Sequence, residues 1–593
     1  MTTPLDLAAQ PSEASAAAPV RYTVRFPAPH THYIDVEAWF PAAGRPTVEL
    51  FMPVWTPGSY LVREYARHVD DLRASAEGRA LAVEKVAKNR WRIETGGAPE
   101  IAVRYRVYAR EMTVRTNYVG AEFALINGAA TFMTLRGGQA RAHHVALELP
   151  PAWTRSMSGL EESGPAHHYL AADFDALVDS PIVAGAPNVY EFTVRGVPHF
   201  LVNVGGDELW DGVRAAADVQ KIVEAQAAFW GGLPYRKYVI LNILSEGSGG
   251  LEHRNSTVLM TSRWKMRTRR AYVDWLGLVS HELFHVWNVK RLRPIELDRI
   301  DYEAENYSRL LWVVEGFTSY YDNLLALRAG VITRDEYLSE LAGQIRELQA
   351  TPGRLAQPVE DASYDAWIRY YRQDENTPNT TISYYTKGAV IAFLLDIEIR
   401  RRTAGARSLD DVLGAAHRQH GDGSGFTSAE LRAVASQIAG DDLEPFFRHA
   451  VESTDELDYS GVCWLGLRLR QEPRAPGAWL GLALAAGRGT LKDDGGRLIV
   501  TQVRRGTPAF DAGVNVDDEI LALGGYRVRP NQWASRLEAF AVGERATLLV
   551  SRRDRLISLG VVFGEEPPGP GRLEADPDAA AEGQARLAAW LSP

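Results

Sequence analysis

The sequence predicts a multidomain α+β protein with a β-sandwich-like N-terminal domain, a mixed and largely helical centre, and a β-rich C-terminal domain. Three observations carry that expectation. At 593 residues the chain is too long for one hydrophobic core, and length alone suggests about three or four domains. Strand-like alternation dominates from about residue 20 to 190 and returns after 460, whereas helical periodicity dominates between them. A 46% hydrophobic and 24% charged composition is that of an ordinary globular protein, with apolar residues enough for several cores.

The first twenty residues, "MTTPLDLAAQPSEASAAAPV", have neither a basic leader nor an apolar run and read as a disordered tail over 1–19. In the domain 20–190, "VRYTVRF", "HYIDVEAWF", "TVELFMPVW" and "EIAVRYRVYA" alternate apolar and polar residues, with Gly and Pro between them. No catalytic constellation stands out there, and the aromatics of "VWTPGSYLVREYARHV" read as core. The domain 191–457 opens with "DELWDGVRAAADVQKIVEAQAAFWGG", a helix stopped by its two glycines. The strand "KYVILNIL", the glycine-rich loop "SEGSGG" and the strand "STVLMTS" follow, and helices take over from 271. Thr333 with Glu336, and Thr427 with Glu430, have capping-box spacing at two helix starts. Strands resume over 458–565, and a Pro/Gly/Ala/Glu-rich tail, 566–593, reads as flexible apart from a short last helix.

A formal charge of -10 argues against a nucleic-acid binder. Two basic runs, "RWKMRTRR" at 263–270 and "KRLRP" at 290–294, read as solvated charge, with the alternative that one holds a peptide carboxylate. The single cysteine, Cys463, excludes an intrachain disulfide and suits a reducing compartment. No stretch is apolar enough to span a membrane. The expected location is cytoplasmic.

Chemistry concentrates at "HELFH". In a helix, His281 and His285 lie one turn apart on one face, where both imidazoles can reach one zinc ion. Glu282, beside that face, is placed to take a proton from an attacking water. Glu315 sits thirty residues on, inside the apolar stretch "LLWVVEGF", where a carboxylate is costly to bury without a cation. That cation is the same zinc, one per chain, or alternatively an arginine. "ISYYTKGAVIAFLL" brings Tyr384 and Tyr385 to a helix start, where a hydroxyl could stabilise an oxyanion or simply pack. In "SEGSGGLEHRNS", Gly249 and Gly250 allow close backbone approach, and Glu252 is either an ammonium anchor or an ordinary loop acid.

Together, "GGLEH", "HELFH", "EGF" and "YTKG" occur in the order of the gluzincin aminopeptidases. The longer strings "WTPGSY", "HELFHVWNVKRLRP" and "EGFTSYY" resemble the glycyl aminopeptidase family more closely, over about residues 20–565. The resemblance implies a thermolysin-like zinc peptidase domain in the centre. It makes His281, His285 and Glu315 the metal ligands and Glu282 the general base. It makes Tyr385 the oxyanion stabiliser and Glu252 the anchor of the substrate amino terminus, beside Gly249 and Gly250. Where aminopeptidase N relatives carry Asn after that glutamate, this chain has His253. The segment "TPAFDAGVNVDDEILALGGYRV", with "WLGL" at 479–482, resembles a PDZ module, which implies a C-terminal peptide ligand.

The resulting expectation is a zinc aminopeptidase acting on peptides with Gly, and sometimes Ala, as first residue. Two alternatives stand beside it: a zinc endopeptidase that recruits substrates through the PDZ-like module, and a non-catalytic peptide-binding adaptor.

Overall fold

The computed structural model describes residues 18–472, 477–487, 496–567 and 569–592, so the tail expected over 1–19 lies almost wholly outside the described residues. The chain forms an N-terminal β-rich domain, a central, mainly helical domain and a C-terminal β-rich region.

The N-terminal domain is built on an eight-stranded sheet running from Glu161–Glu162 at one edge to Arg79–Leu81 at the other. Val20–Arg25, Tyr33–Pro41 and Glu100–Tyr108 lie side by side in its middle, with Val24 opposite Val36 and Val36 opposite Tyr105. In the first of these strands Val20, Tyr22 and Val24 are buried while the residues between face outward. This is the period-2 pattern that fixes which face of a sheet enters the core. Two four-stranded sheets complete the domain around Phe40, Phe51, Ile101 and Phe174.

A five-stranded sheet opens the central domain: β1 (Asn188–Val194), β2 (Val197–Val204), β3 (Tyr238–Leu244), β4 (Gly249–Glu252) and β5 (Ser256–Thr261), in spatial order β1-β2-β3-β5-β4. β3 is buried along its whole length, as its apolar run, broken only by the hydrogen-bonded Asn242, requires of a strand covered on both faces. β4 is the edge strand, antiparallel to β5, with Glu252 opposite Thr257. Five longer helices follow this sheet or pack on it: α1 (Gly212–Trp230), α2 (Arg269–Phe284), α3 (Gly316–Arg328), α4 (Arg334–Ala350) and α5 (Tyr384–Arg402). α2 is N-capped by the Thr268 hydroxyl, and α4 carries the capping box of Thr333 and Glu336. α3 and α5 cross backbone to backbone at two glycines. A Cβ on Gly388 would come within 2.5 Å of the Trp312 carbonyl oxygen and 2.8 Å of Gly316 Cα. These glycines belong to "EGF" and "YTKG", so the motif residues next to them are held in fixed relation by the close approach.

The C-terminal region folds as a six-stranded sheet from Leu482–Gly487 to Arg555–Val562, around its own core of Val500, Ile520, Leu548 and Val550. Asn379 ties it to the central domain, donating to the Val503 carbonyl (2.9 Å) and accepting from the Arg505 N–H (2.9 Å). The stretch 566–593, read from composition as flexible apart from a short last helix, forms that helix and a strand before it. Gly569–Ala575 pairs antiparallel with Leu467–Glu472, and Ala581–Leu591 is a helix. Its Trp590 is buried and donates its indole N–H to the Tyr320 hydroxyl of α3 (3.0 Å). With Leu573 and Leu587, also buried, it docks a segment whose average composition reads as solvated. Among the described residues no helix is long and apolar enough to cross a membrane.

Candidate active site

α2 ends at Phe284, and His285 caps it while still in helical conformation. That keeps the i, i+4 spacing, so the Nε2 atoms of His281 and His285 stand 3.1 Å apart. Glu315 lies between the short helical turn Leu311–Val314 and α3, and its Oε2 is 3.5 Å from His281 Nε2 and 3.2 Å from His285 Nε2. Its ion-pair partners among the described residues are these two imidazoles, and no arginine takes their place.

The residues fit a zinc ion on three counts. Four ligands at about 2.1 Å in a tetrahedron are separated by about 3.4 Å, close to the three distances seen. Both Nδ1 atoms are already engaged, His281 with Asp322 Oδ2 (3.2 Å) and His285 with the Asn288 carbonyl (2.9 Å). Each Nδ1–H can therefore donate outward and leave an Nε2 lone pair facing its neighbour. The Glu315 Oε2 is buried with no hydrogen-bond donor, an acceptor aimed at a cation. The field agrees. Burial lowers the proton affinity of both imidazoles, but Asp322 and Glu315 around His281, and Glu315 beside His285, override it and raise it.

The string "VWNVKRLRP" after the motif is the frame of this centre. The Asn288 side-chain amide donates to the carbonyls of Val313 (3.2 Å) and Val314 (3.1 Å) and to Thr318 Oγ1 (3.1 Å). It thereby ties the end of the histidine helix to the turn that presents Glu315. Val289 turns the chain at φ 114°, a conformation costly for a β-branched residue, so the surrounding bonds must hold it there. Arg291 donates to the carbonyls of Val286 (2.7 Å) and Pro234 (2.9 Å), satisfying acceptors left open where the helix ends.

Glu282 and Glu252 meet at the same cleft. Ligand-capable atoms of Glu252, Glu282 and His285 all lie within 4.8 Å of one another. Burial lifts the Glu282 carboxyl to about 7, an effect the two imidazoles oppose and Glu252 and Glu315 reinforce. Gly250 passes so close to the Glu282 carboxylate that a Cβ there would collide with it. Of the two adjacent tyrosines, Tyr384 is fully buried against Tyr370, whereas Tyr385 lines the cleft with its ring 6.2 Å from that of His281. Burial and the Glu315 carboxylate raise the Tyr385 phenol well above its ordinary pKa, so it stays a donor. His253 does not line the cleft and bonds through Nδ1 to Asp179 Oδ1 (3.1 Å).

The cleft, about 500 Å³, also takes residues that sequence reasoning passed over. From the N-terminal domain, where no site residue was expected, come Gly58 and Arg115. Gly58, at φ +88°, forms a turn over Glu252, where a Cβ would sit 2.5 Å from Glu252 Oε2. Trp55 and Tyr60 around it are core, as read. A Pro-Gly turn in "WTPGSY" was the available signal for Gly58; nothing local marks Arg115. Asp322 lies seven residues after Glu315, two turns on and the same helix face, a spacing that could have revealed it. Lys290 reaches Asp179 Oδ1 (2.8 Å) and lies 3.9 Å from Glu252 Oε1. In the other basic run Lys265 pairs with Asp274, Arg269 with Glu336 and Arg270 with Glu340.

Comparison with known proteins adds a family. Residues 21–186 match the model of the Peptidase M61 N-terminal domain, and residues 274–391 that of M61 glycyl aminopeptidase. A solved aminopeptidase N family protein from Idiomarina loihiensis is similar at 28% identity and a TM-score of 0.90, over 97% of this chain and 100% of that one. An M1 zinc metallopeptidase from Deinococcus radiodurans is similar at 11% identity and a TM-score of 0.47, over 74% of this chain and 94% of that one. No curated protein matches the chain.

Proposed function

The chain belongs to the M61 glycyl aminopeptidase family of zinc metallopeptidases, and we propose that it removes glycine, and to a lesser extent alanine, from the free amino termini of peptides. One observation carries this reading: the carboxylates of Glu252 and Glu282 come within 4.8 Å of each other at the roofed end of the cleft. A substrate ammonium held by Glu252 leaves room for one residue before the peptide bond faces Glu282. The Gly58 turn, packed against Glu252, narrows the space for that residue's side chain and supports a preference for the smallest.

His281, His285 and Glu315 would hold one zinc ion, which supplies Lewis acidity to the scissile carbonyl. Glu282 takes the proton of the attacking water and returns it to the leaving amine, a task suited to a carboxyl poised near neutrality. The Tyr385 hydroxyl donates a hydrogen bond to the developing oxyanion. Glu252 fixes the register by accepting from the ammonium, and the Lys290–Asp179 pair behind it keeps the carboxylate in place.

In the C-terminal region we read 458–565 as a PDZ-like module. An antiparallel sheet whose edge strand Leu482–Gly487 pairs on one side only among the described residues, with a short helix at Pro508–Asp511, supports this reading. Its ligand would be a peptide C-terminus laid along that edge.

The test is hydrolysis of glycyl, alanyl and leucyl peptides against their N-acetylated counterparts, with and without a chelator. The reading expects glycyl peptides to be cut fastest, acetylation to stop cleavage, and Glu282→Gln to abolish turnover with zinc still bound. Equal rates on free and acetylated peptides would overturn the aminopeptidase reading in favour of an endopeptidase.

A further inference from the structure

Arg115 is the one arginine or lysine among the described residues that line the cleft, which otherwise carries six carboxylates. No hydrogen bond or ion pair engages its guanidinium among the described residues, and its Nε is buried without a partner. An arginine left so is costly unless a ligand completes it. Its backbone, by contrast, is pinned. The Tyr65 hydroxyl donates to the Arg115 carbonyl (2.8 Å), and the Arg115 N–H donates to Thr113 Oγ1 (3.2 Å). The next turn is held by Asn117, which donates to the Ala130 carbonyl (3.0 Å). Burial weighs against the guanidinium's charge, but Tyr371, Tyr385, Glu282 and Glu252 offset it, so it stays a cation.

The position along the cleft says what it would hold. On the edge strand β4 the order is Glu252, then Gly250 under the Glu282 carboxylate, then Gly249. A Cβ on Gly249 would come within 3.8 Å of Arg115 Nη1. Three strand residues, from Glu252 to Gly249, span about 10 Å, the extended length of a tripeptide from ammonium to carboxylate. With the ammonium at Glu252 and the first peptide bond at Glu282, Arg115 stands on the leaving-group side. The two basic runs, the other candidates for such a role, place no residue in the cleft lining, and Lys290, Arg269 and Arg270 among them are held by Asp179, Glu336 and Glu340.

We propose that Arg115 anchors a substrate carboxylate on the leaving-group side of the scissile bond, so that short peptides, tripeptides above all, with a free C-terminus are the preferred substrates. The inference rests on the aminopeptidase reading, because it takes the ammonium to lie at Glu252. A guanidinium pairs with a carboxylate through parallel N–H donors, which an amide cannot replace. The same chemistry could come from an acidic side chain at the third residue, and the experiment separates the two sources.

The measurement is kcat/KM for Gly-Ala-Ala, Gly-Ala-Ala amide and Gly-Ala-Asp amide, on wild type, Arg115→Gln and Arg115→Lys. Wild type should favour the free acid over the amide by about 10- to 100-fold, the weight of a charge-assisted hydrogen bond. Arg115→Gln should bring that ratio to near one, and Arg115→Lys should recover part of it. Gly-Ala-Asp amide matching the free acid in wild type, and losing that advantage in Arg115→Gln, would support the anchor and assign its ligand to a side chain. A ratio near one in wild type, or one untouched by Arg115→Gln, would overturn the proposal. Calorimetric binding of the same peptides to Glu282→Gln protein reads the anchor without turnover. Failure of the aminopeptidase reading has its own sign, which is acetylated Gly-Ala-Ala binding as tightly as the free amine.

Discussion

The Lys290 ammonium sits 2.8 Å from the Asp179 carboxylate, joining a residue five positions past the second histidine, His285, to one from the N-terminal β-rich domain. Asp179 also receives the Arg254 N–H (2.8 Å) and His253 Nδ1, so a single carboxylate braces the segment that carries Glu252. Burial would raise the Asp179 carboxyl, but Lys290 and His253 override it and hold it well below the usual range. In Asp179→Ala, Lys290 keeps only Glu252 as a nearby carboxylate and is drawn onto it. We expect KM for glycyl peptides to rise about tenfold with kcat nearly unchanged, and stability to fall by about 3 kcal/mol. Steady-state kinetics and urea denaturation check both. The carboxyl titrates lower in the folded state, so its contribution is complete above an unfolded pKa near 4 and is lost as pH falls through the folded value. The variant should lack that part of the acid lability.

Gly388→Ala tests the contact between α3 and α5. The added methyl meets the Trp312 carbonyl and Gly316 Cα, so the helices must part. Overpacking of this kind costs about 1–3 kcal/mol. Tyr385, the proposed oxyanion donor, stands one turn before Gly388 on the same helix, and a shift near 1 Å in such a group would lower kcat about 100-fold. The expected result is protein that binds zinc fully but turns over slowly; wild-type kcat would refute the positioning role of the crossing.

Asp322→Ala removes the acceptor that orients the His281 ring. Zinc affinity, read by competition with a chelator, should fall about 10- to 100-fold, with most activity returning at saturating zinc. Affinity equal to wild type would show that the ring is held by packing alone.

Lys387, in the same motif as Tyr385, is buried with no partner for its Nζ, and burial lowers its pKa to about 8. The unfolded chain, with a lysine pKa near 10.4, binds more protons between these values, so stability should rise with pH across that window. The cost at pH 7 is on the order of 3 kcal/mol. Lys387→Met should therefore be more stable than wild type at pH 7, by a margin that shrinks towards pH 10. A margin independent of pH would mean that the folded lysine titrates normally.

Much of the centre was legible before any fold was known, because its geometry is helical and local. His281, Glu282 and His285 need only the i, i+4 rise of one helix to converge, and Glu315 betrayed itself as a carboxylate in an apolar run. The strands were equally legible where one face is buried, as in Val20–Arg25. The strand in the tail was missed because composition averages over residues, whereas docking depends on a few, Leu573, Leu587 and Trp590.

The sequence by itself determined the donor set of the centre: two imidazoles and a carboxylate suited to zinc, a second carboxylate, Glu282, between the histidines, and strings that match a zinc peptidase family. Only the tertiary structure decided what surrounds it. It gave Asn288 its role as the tie to Val313 and Val314, set His253 outside the cleft and onto Asp179, and brought Gly58 and Arg115 into the cleft from residues more than 130 positions before Glu252. Ligand spacing on a helix is set by covalent geometry and backbone hydrogen bonds, which a short string contains. Contacts between domains are set by which buried surfaces fit, and no local pattern carries that.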